Sequence, residues 1–274
     1  MKKSCRHLIW LVSMLTMLAV PAIAPAANSN VGALISSAMQ GNWRSDAHKA
    51  RDKYRHPKQT LEFFGLQPGM MVVELWPGGG WYTEILAPVL HDRGKLIAAS
   101  VPARGYGESD TARKYAAMLA ATPAVYGKVK LIDFMPPGKM SLGADGSADM
   151  VLTFRNLHNW QGIKGIEPVF QSAFRVLKHG GVFGVVEHRA PAGKSVEQTF
   201  HSGYMPVDYV IREAEQAGFK LVAQSEINAN PKDTKDYPKG VWTLPPSFTL
   251  GDKQRAKYTA IGESDRMTLK FVKP

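Results

Sequence analysis

The sequence is almost free of cysteine, because Cys5 is the only one among its 274 residues. A disulfide within the chain and a zinc site built from several thiolates are therefore excluded. Internal repeats and low-complexity segments are also absent, and an apolar content of 45% is too high for a chain that stays unfolded. The length suits one α/β domain with additions.

Acidic residues are scarce relative to basic ones, with 23 Asp and Glu against 34 Lys and Arg and a formal net charge of +11. The basic residues are scattered rather than arranged in a stripe, which does not favour a nucleic-acid partner. We therefore expect a small-molecule substrate and no nucleic acid. The sequence leaves the oligomeric state open.

Residues 1–26 have the three parts of a secretory signal peptide. Lys2 and Lys3 belong to a basic start, an apolar run covers residues 8–20, and small residues end at Ala26. The apolar run is shorter than the roughly 20 residues that cross a bilayer. We expect cleavage after this segment and a periplasmic or secreted protein with no integral membrane segment. An uncleaved N-terminal anchor is the alternative.

Short apolar segments alternate with amphipathic ones along the rest of the chain. Residues 27–56 are predicted to form a helical extension, and residues 57–274 a single domain. The predicted strands lie at 70–75, 95–99, 129–132, 150–154, 182–186, 219–227 and 267–272. The helices between them include one over 81–87 that stops near Pro88 and one over 167–177 that ends before the turn LKHGG. This alternation predicts an α/β fold with a doubly wound, mostly parallel seven-stranded sheet.

Residues 228–265 form a long connection before the last predicted strand, rich in Pro, Lys and Asp. A connection of this length in a compact domain is usually a lid or a binding loop. A solvated surface excursion is the alternative, and the sequence does not decide between them.

Glycines and polar side chains follow three of the predicted strands. In sheets of this class ligands bind beyond the carboxyl ends of the strands. Three glycines follow the first strand, where a backbone can approach a ligand closely, although a tight turn that binds nothing is the alternative. The residues concerned are Gly78, Gly79 and Gly80 after the first strand, Arg155, Asn156 and His158 after the fourth, and Glu187, His188 and Arg189 after the fifth.

These polar groups converge on one crevice if the first, fourth and fifth strands are neighbours. His158, or His188 oriented by Glu187, is then a candidate general base, because the pKa of histidine lies near the working pH. Arg155 and Arg189 are candidates to hold an anionic substrate group. A structural hydrogen bond is the alternative role for each histidine.

Metal binding and serine chemistry are not expected. His56, His158 and His188 with Glu187 match the spacing of no compact metal motif, so we predict no metal. No serine stands in a nucleophile-elbow context, which argues against a serine hydrolase.

The run VVELWPGGG at 72–80 resembles motif I of class I S-adenosylmethionine-dependent methyltransferases, and DMVL at 149–152 resembles their motif IV. LKHGG at 177–181 is similar to the turn before their fifth strand. The resemblance covers nearly all the chain after residue 26. It implies a Rossmann-like methyltransferase fold whose last strand is antiparallel, with S-adenosylmethionine as cofactor.

The resemblance also implies which residues bind that cofactor. Asp133 falls where these enzymes place an acid near the adenine after the third strand. The cofactor-binding residues implied are Glu74, Trp76, Gly78, Gly79, Gly80, Asp133 and Asn156. A narrower set of segments looks like a family of exported bacterial predicted methyltransferases: 51–57 (RDKYRHP), 74–84, 154–160 and 187–189 (EHR).

Two positions depart from the motif. Trp76 stands where motif I has glycine, and an indole there would crowd the methionine end of the cofactor or shape a different pocket. The acid that holds the ribose hydroxyls at the end of the second strand is missing, and Ser100 lies in the segment that should carry it.

The sequence therefore supports three hypotheses. The first is a methyltransferase that acts on an unidentified small molecule or envelope component. The alternative is a non-catalytic ligand-binding or scaffold protein of the cell envelope on the same fold. The third is a different enzyme that uses the His, Glu and Arg cluster on another small molecule.

Overall fold

The computed structural model describes residues 28–103 and 109–274 of the chain. Its strands are β1 Met71–Leu75, β2 Lys95–Ser100, β3 Lys130–Asp133, β4 Ala148–Phe154, β5 Leu177–His188, β6 Lys220–Ser225 and β7 Arg266–Val272. They form one sheet in the order β3-β2-β1-β4-β5-β7-β6. β7 runs antiparallel to β5 and β6, and the strands from β3 to β5 pair in parallel. The predicted doubly wound, mostly parallel sheet with an antiparallel last strand is confirmed.

Helices lie on both faces of this sheet. They are α1 Asn28–Met39, α2 Asp46–Lys49, α3 Asp52–Arg55, α4 Pro57–Phe64, α5 Thr83–Leu90, α6 Asp110–Ala121, α7 Pro123–Tyr126, α8 Leu157–Gln161, α9 Ile166–Val176, α10 Val196–Thr199, α11 Val207–Gln216 and α12 Arg255–Ile261. Short 3-10 turns span Phe200–Ser202 and Gly240–Thr243. Of the helices in the described ranges, none has the length and apolar character needed to cross a membrane. The predicted signal peptide lies outside the described residues and stays a prediction.

The central strands are buried on both faces, as their continuous apolar sequence predicts. Successive side chains of a strand point to opposite faces. Val72 therefore packs with α1, α4 and α5 on one face, and Val73 packs with α8, α9 and α11 on the other. The two resulting cores cover the sheet on both faces and so position the residues just beyond its strands.

Helix α5 includes Pro88, whereas the sequence predicts that the helix stops near this proline. A proline has no N–H, so the carbonyl of Glu84, four residues earlier, loses its helical donor. The indole Nε1 of Trp43 donates to that carbonyl at 2.9 Å. A tertiary hydrogen bond thus replaces the missing helical one, and the helix continues to Leu90.

Strand β5 begins at Leu177, whereas the sequence predicts a turn at 177–181 and a strand only from 182. The backbone N–H of Gly180 donates to the carbonyl of Lys273 at 2.8 Å, and the N–H of Lys273 donates to Gly181 at 3.0 Å. Gly180 has a φ of +73°, which suits glycine. Pairing with the chain beyond β7 therefore draws the predicted turn into the sheet.

The N-terminal helices α2 and α3 are tied to α5 by polar contacts of Arg44 and His48. Arg44 donates to both carboxylate oxygens of Asp52 at 2.9 and 2.7 Å, and its Nε lies 3.4 Å from Glu84. The other oxygen of Glu84 lies 2.9 Å from Nδ1 of His48. These contacts fix the extension over the carboxyl edge of the sheet, where the polar residues lie.

Candidate active site

A cavity of about 260 Å³ opens at the carboxyl edge of β1, β4 and β5. The strand register brings their ends side by side, because Leu75 pairs with Thr153 and Thr153 with Val185. The volume lies just below the usual range of about 300–1,000 Å³ for small-molecule sites. The residues around this site cavity are His48, Arg51, Arg55, Trp76, Pro77, Gly78, Gly79, Trp81, Phe154, Arg155, Asn156, His158, His188, Val241, Trp242, Pro245, Pro246 and Ser247.

His158 is held in one orientation by the buried carboxylate of Glu187. Its Nδ1 lies 3.0 Å from Oε1 of Glu187, and the other oxygen of Glu187 accepts the backbone N–H of Leu157 at 2.6 Å. The N–H of His188 adds a third hydrogen bond at 2.7 Å. When Nδ1 donates to this carboxylate, Nε2 is the ring nitrogen that remains for proton exchange with a ligand. His158 therefore has the arrangement of a general base at the cavity wall.

His188 is held by a different partner from the one that the sequence suggests. Its Nδ1 lies 2.5 Å from Oγ of Ser264, while the side chain of Glu187 binds His158 instead. Burial, followed by the charges of His158 and Arg155, lowers the pKa of His188 well below its ordinary value. His188 is thus a neutral neighbour whose ring centre lies 5.2 Å from that of His158.

A divalent metal ion is a poor fit for this group, although candidate ligand atoms of His158, Glu187 and His188 lie within 4.8 Å of one another. The oxygens of Glu187 already accept three N–H groups. The positive charges of Arg55 and Arg155 act on His188 and would repel a cation.

Three guanidinium groups line the site cavity, and we call Arg51, Arg55 and Arg155 the arginine cluster. Nε of Arg51 donates to Glu263 at 2.6 Å, and Nε of Arg55 donates to its other oxygen at 3.1 Å. In both residues Nη2 is buried without a hydrogen-bond partner. For the guanidinium of Arg155, the described residues supply no hydrogen bond. The cluster is therefore only partly neutralised by protein acceptors.

The electrostatics of the cluster follow from burial and from mutual repulsion. Burial is the largest cause of the lowered pKa of Arg55, and the charge of Arg155 adds to it. Burial likewise lowers the pKa of Arg155 to about 10, against the opposing effect of Glu263. Burial alone would raise the pKa of Glu263, but Arg55, Arg266 and Arg51 together lower it to about 2. Glu263 therefore remains a carboxylate.

The long segment 228–265 covers the cavity and supplies some of its wall. Val241, Trp242 and the stretch 245–247 line the cavity, and the ring of Trp242 lies edge-on to His158 at 5.9 Å. The same segment carries Glu263 and Ser264, the partners of the arginine cluster and of His188. The segment therefore both covers the cavity and positions the arginine cluster and His188.

Trp76 folds its indole across the end of β2. Its backbone N–H donates to the carbonyl of Ala99 at 2.8 Å, and its Nε1 donates to the carbonyl of Phe134 at 3.0 Å. Because Phe134 follows β3, and β2 lies between β1 and β3, the ring crosses the carboxyl end of β2. The ring also packs edge-on against Trp160 at 5.6 Å.

The backbone at Trp76 keeps the conformation that a glycine would take. Its φ is +45°, in the left-handed region, which costs a non-glycine residue roughly 1–2 kcal/mol. Arg155, after β4, has a φ of +62°. Strained residues cluster at functional sites, and here both stand at the cavity wall.

Several residues implied as cofactor-binding have other partners. Glu74 is buried away from the cavity and accepts a hydrogen bond from Oγ1 of Thr83 at 2.6 Å. The amide of Asn156 donates to the carbonyl of Leu75 at 2.9 Å and so holds the end of β1. Asp133 forms an exposed ion pair with Lys139 at 2.6 Å.

Of the three glycines in the predicted motif, two face the cavity and the third has a packing role. A side-chain carbon added at Gly78 or Gly79 would meet open space, and both glycines line the cavity. One added at Gly80 would come within 2.9 Å of the ring of Tyr115, so Gly80 permits close packing of α6.

S-adenosylmethionine does not fit these residues in the orientation that the resemblance implies. That orientation places the ribose at the end of β2 and the adenine near Asp133. The indole of Trp76 crosses the first position, and Ser100 stands at the end of β2 without a carboxylate. The described wall of the site cavity includes no residue from the ends of β2 or β3, and residues 104–108 lie outside the described ranges.

Solved structures share this fold at low sequence identity. A SAM dependent methyltransferase from Aquifex aeolicus is 14% identical, with a TM-score of 0.55 over 89% of this chain and 98% of that one. The fold is that of the class I S-adenosylmethionine-dependent methyltransferases. Geranyl diphosphate C-methyltransferase from Streptomyces coelicolor, solved with S-adenosyl-L-homocysteine, is 12% identical, with a TM-score of 0.56 over 87% of this chain and 88% of that one.

The methyltransferase fold also matches the 4+2 cyclase SpnF, which is 16% identical, with a TM-score of 0.58 over 89% of this chain and 93% of that one. No family model and no curated protein matches the sequence. At these identities the comparisons establish the fold, and the reaction has to be argued from the site itself.

Sequence reasoning identified part of the site and missed part of it. Arg189 lies outside the site cavity, where it pairs with Glu226 and Asp265 at 2.7 and 2.8 Å. Arg51 and Arg55 take the place predicted for it at the cavity wall. Their spacing of four residues in the basic stretch before α4 was a signal for a shared face, but only the fold shows that this face meets the sheet edge.

Glu74 offers a test of the buried part of motif I. Burial raises its pKa to about 7, against the hydrogen bond from Thr83. Between pH 4.5 and about pH 7 the Glu74 carboxyl is ionised in the unfolded chain but still protonated in the folded one. The free energy of unfolding therefore falls as the pH rises through this window. We expect Glu74→Gln to be more stable than the parent by about 3 kcal/mol above pH 7, a gain that vanishes below pH 4.5.

The measurement is denaturant unfolding of both chains at several pH values across that window. Glu167→Gln is the matched control, because Glu167 is exposed in the first turn of α9. A stability difference between Glu74→Gln and the parent that does not change with pH would contradict the assignment.

Proposed function

We propose that this chain is an enzyme of the methyltransferase fold that removes a proton from a small molecule held in the site cavity. The observation that carries the proposal is the pair of His158 and Glu187, joined at 3.0 Å with the carboxylate fully buried. Glu187 also binds two backbone N–H groups, so it holds the imidazole of His158 rigidly. An imidazole fixed in this way at the wall of a cavity is suited to general-base chemistry.

The arginine cluster would orient a negatively charged part of the substrate, and the neutral ring of His188 would pack beside the proton acceptor. Trp242 and the stretch 245–247 would limit the access of water from the side of the long segment. Alignment of the substrate with His158 accounts for much of the expected rate gain, since the participating groups are held by the sheet and by buried partners.

Methyl transfer from S-adenosylmethionine is the second candidate. The fold and the open space at Gly78 and Gly79 favour it. The position of Trp76 opposes it, because the indole crosses the end of β2. A ligand-binding protein without catalysis is the alternative that would use the same cavity and leave His158 without a chemical role.

A comparison of metabolite profiles separates these functions. The purified chain without residues 1–26 and its His158→Asn variant are incubated with a metabolite extract, with and without added S-adenosylmethionine, and the mixtures are compared by mass spectrometry. We expect a compound that the parent consumes and the His158→Asn variant does not, because the variant lacks the proton acceptor. His179→Asn is the matched control, since His179 is exposed at the far end of β5.

Each outcome selects one function. Consumption without added S-adenosylmethionine supports the proposed enzyme, and a product heavier by one methyl group only in its presence supports methyl transfer. Profiles that neither chain changes under either condition would leave only a binding role for the cavity, and equal consumption by the parent and the His158→Asn variant would contradict the role of His158.

A further inference from the structure

We infer that the site cavity binds a doubly charged oxyanion group of the phosphate-monoester type through the arginine cluster. The inference deepens the proposed function and rests on it for the statement that the anion is part of a substrate. Binding of the anion itself is a separate property, which can be measured without any turnover.

Unused donors are the first observation behind this inference. Buried polar groups in folded proteins almost always have a hydrogen-bond partner, and a charged donor without one is costly. Arg55 is 2% exposed, and its Nη2 has no partner, as is also true of Nη2 of Arg51. Arg155 lines the same cavity, and its guanidinium receives no hydrogen-bond acceptor from the described residues, so an acceptor placed in the cavity would meet a charged donor that protein groups leave free.

Charge is the second observation. Glu263 is the carboxylate that Arg51, Arg55 and Arg266 share, and its pKa also responds to Arg155. Four guanidinium groups thus surround this carboxylate, and Glu187 is a second carboxylate whose charge acts on Arg155. Two positive charges remain unbalanced. A single carboxylate ligand would leave one of them unbalanced, whereas a dianion would balance both.

Preorganisation is the third observation. The guanidinium of Arg55 lies over the ring of Trp81 at 4.5 Å, and that of Arg51 is fixed by its contact with Glu263 at 2.6 Å. Arginines held in this way lose little conformational freedom when a ligand arrives. The planar guanidinium group also matches the oxygens of phosphate.

The experiment titrates the parent chain with inorganic phosphate, sulfate, acetate and chloride at constant ionic strength. Trp76, Trp81 and Trp242 line the cavity, so intrinsic tryptophan fluorescence reports on its occupation. We expect saturable binding of phosphate and sulfate at pH 8, with acetate at least about tenfold weaker, because the charge balance favours a dianion. At pH 6 phosphate, which is largely a monoanion there, should weaken relative to sulfate, which stays a dianion.

Substitutions locate the anion. Arg51→Gln and Arg155→Gln should each weaken phosphate binding at least about tenfold, since each removes a charged donor. Arg212→Gln is the matched control, because Arg212 is exposed on α11. Circular dichroism confirms that each variant is folded. Arg55 is not used for this test, because its buried contacts with Glu263 and Trp81 also support the fold.

The outcomes separate this inference from the proposed function. No saturation by the parent, equal binding of acetate and phosphate, or equal effects of the cluster and control substitutions would overturn the oxyanion site. A parent that binds phosphate but shows no consumption dependent on His158 would keep the oxyanion site and remove the proposed enzyme.

Discussion

Trp76→Gly is expected to bind S-adenosylmethionine at least about 100-fold more tightly than the parent chain, a difference of about 2.8 kcal/mol. The indole of Trp76 spans from β1 to the carbonyl of Phe134 and crosses the end of β2, where the ribose lies in the implied orientation. Glycine removes the ring and adopts the φ of +45° without strain. The variant also restores the glycine that motif I has at this position.

Isothermal titration calorimetry of the parent and the variant measures this effect. We expect the parent to give no signal at about 1 mM ligand and the variant to bind near 10 µM, in keeping with the 100-fold ratio. Trp242→Ala is the matched control, because it removes an indole from the same cavity but leaves the end of β2 covered. Its affinity should equal that of the parent.

Two results would contradict the role of Trp76. Micromolar binding by the parent would mean that the indole does not obstruct the cofactor, and methyl transfer would then become the first candidate function. If neither the parent nor Trp76→Gly gave a binding signal, the lack of an acid at the end of β2, where Ser100 stands, would exclude the cofactor irrespective of the indole.

Glu187→Ala is expected to lower the free energy of unfolding by about 3–5 kcal/mol, the cost of removing one partner from a buried charged group. Glu187 is fully buried and accepts from the backbone of Leu157 and His188 as well as from His158. Alanine leaves all three donors without an acceptor and opens a void beside them. Guanidinium chloride unfolding followed by circular dichroism gives the change.

Glu187→Gln separates packing from charge in the same measurement. Its amide keeps the shape and one acceptor oxygen but turns an NH₂ group toward a donor, so we expect a smaller loss than for alanine. Glu167→Ala, on an exposed position of α9, is the control and should stay within about 0.5 kcal/mol of the parent. A loss below 1 kcal/mol for Glu187→Ala would show that the three hydrogen bonds are not structural.

The fold leaves the reaction of this chain open. The same architecture is found in methyltransferases and in the cyclase SpnF, at 12–16% identity to this chain. The geometry that discriminates between reactions therefore lies in a few residues, namely His158, Glu187, Trp76 and the arginine cluster. The first three were named as site residues from the sequence, and of the cluster only Arg155 was.

The local sequence pattern was sufficient to predict the seven strands, but it did not predict where α5 ends or where β5 begins. Apolar runs bounded by turn residues marked all seven strands. The continuation of α5 through Pro88 depends on Trp43, and the early start of β5 depends on Lys273. Both partners are distant in sequence, so no window around the proline or the glycines contains the reason.

By itself the sequence determined the α/β class, the strands and the placement of polar residues after the first, fourth and fifth of them, because these features depend on hydrophobic periodicity along the chain. Tertiary structure decided which charges share a cavity. It turned Arg189 toward Glu226 and Asp265, brought Arg51 and Arg55 over the sheet edge and laid the indole of Trp76 across β2. The reason is that ion pairs and buried hydrogen bonds act between side chains brought together by folding, and spacing along the chain does not encode which partner is nearest.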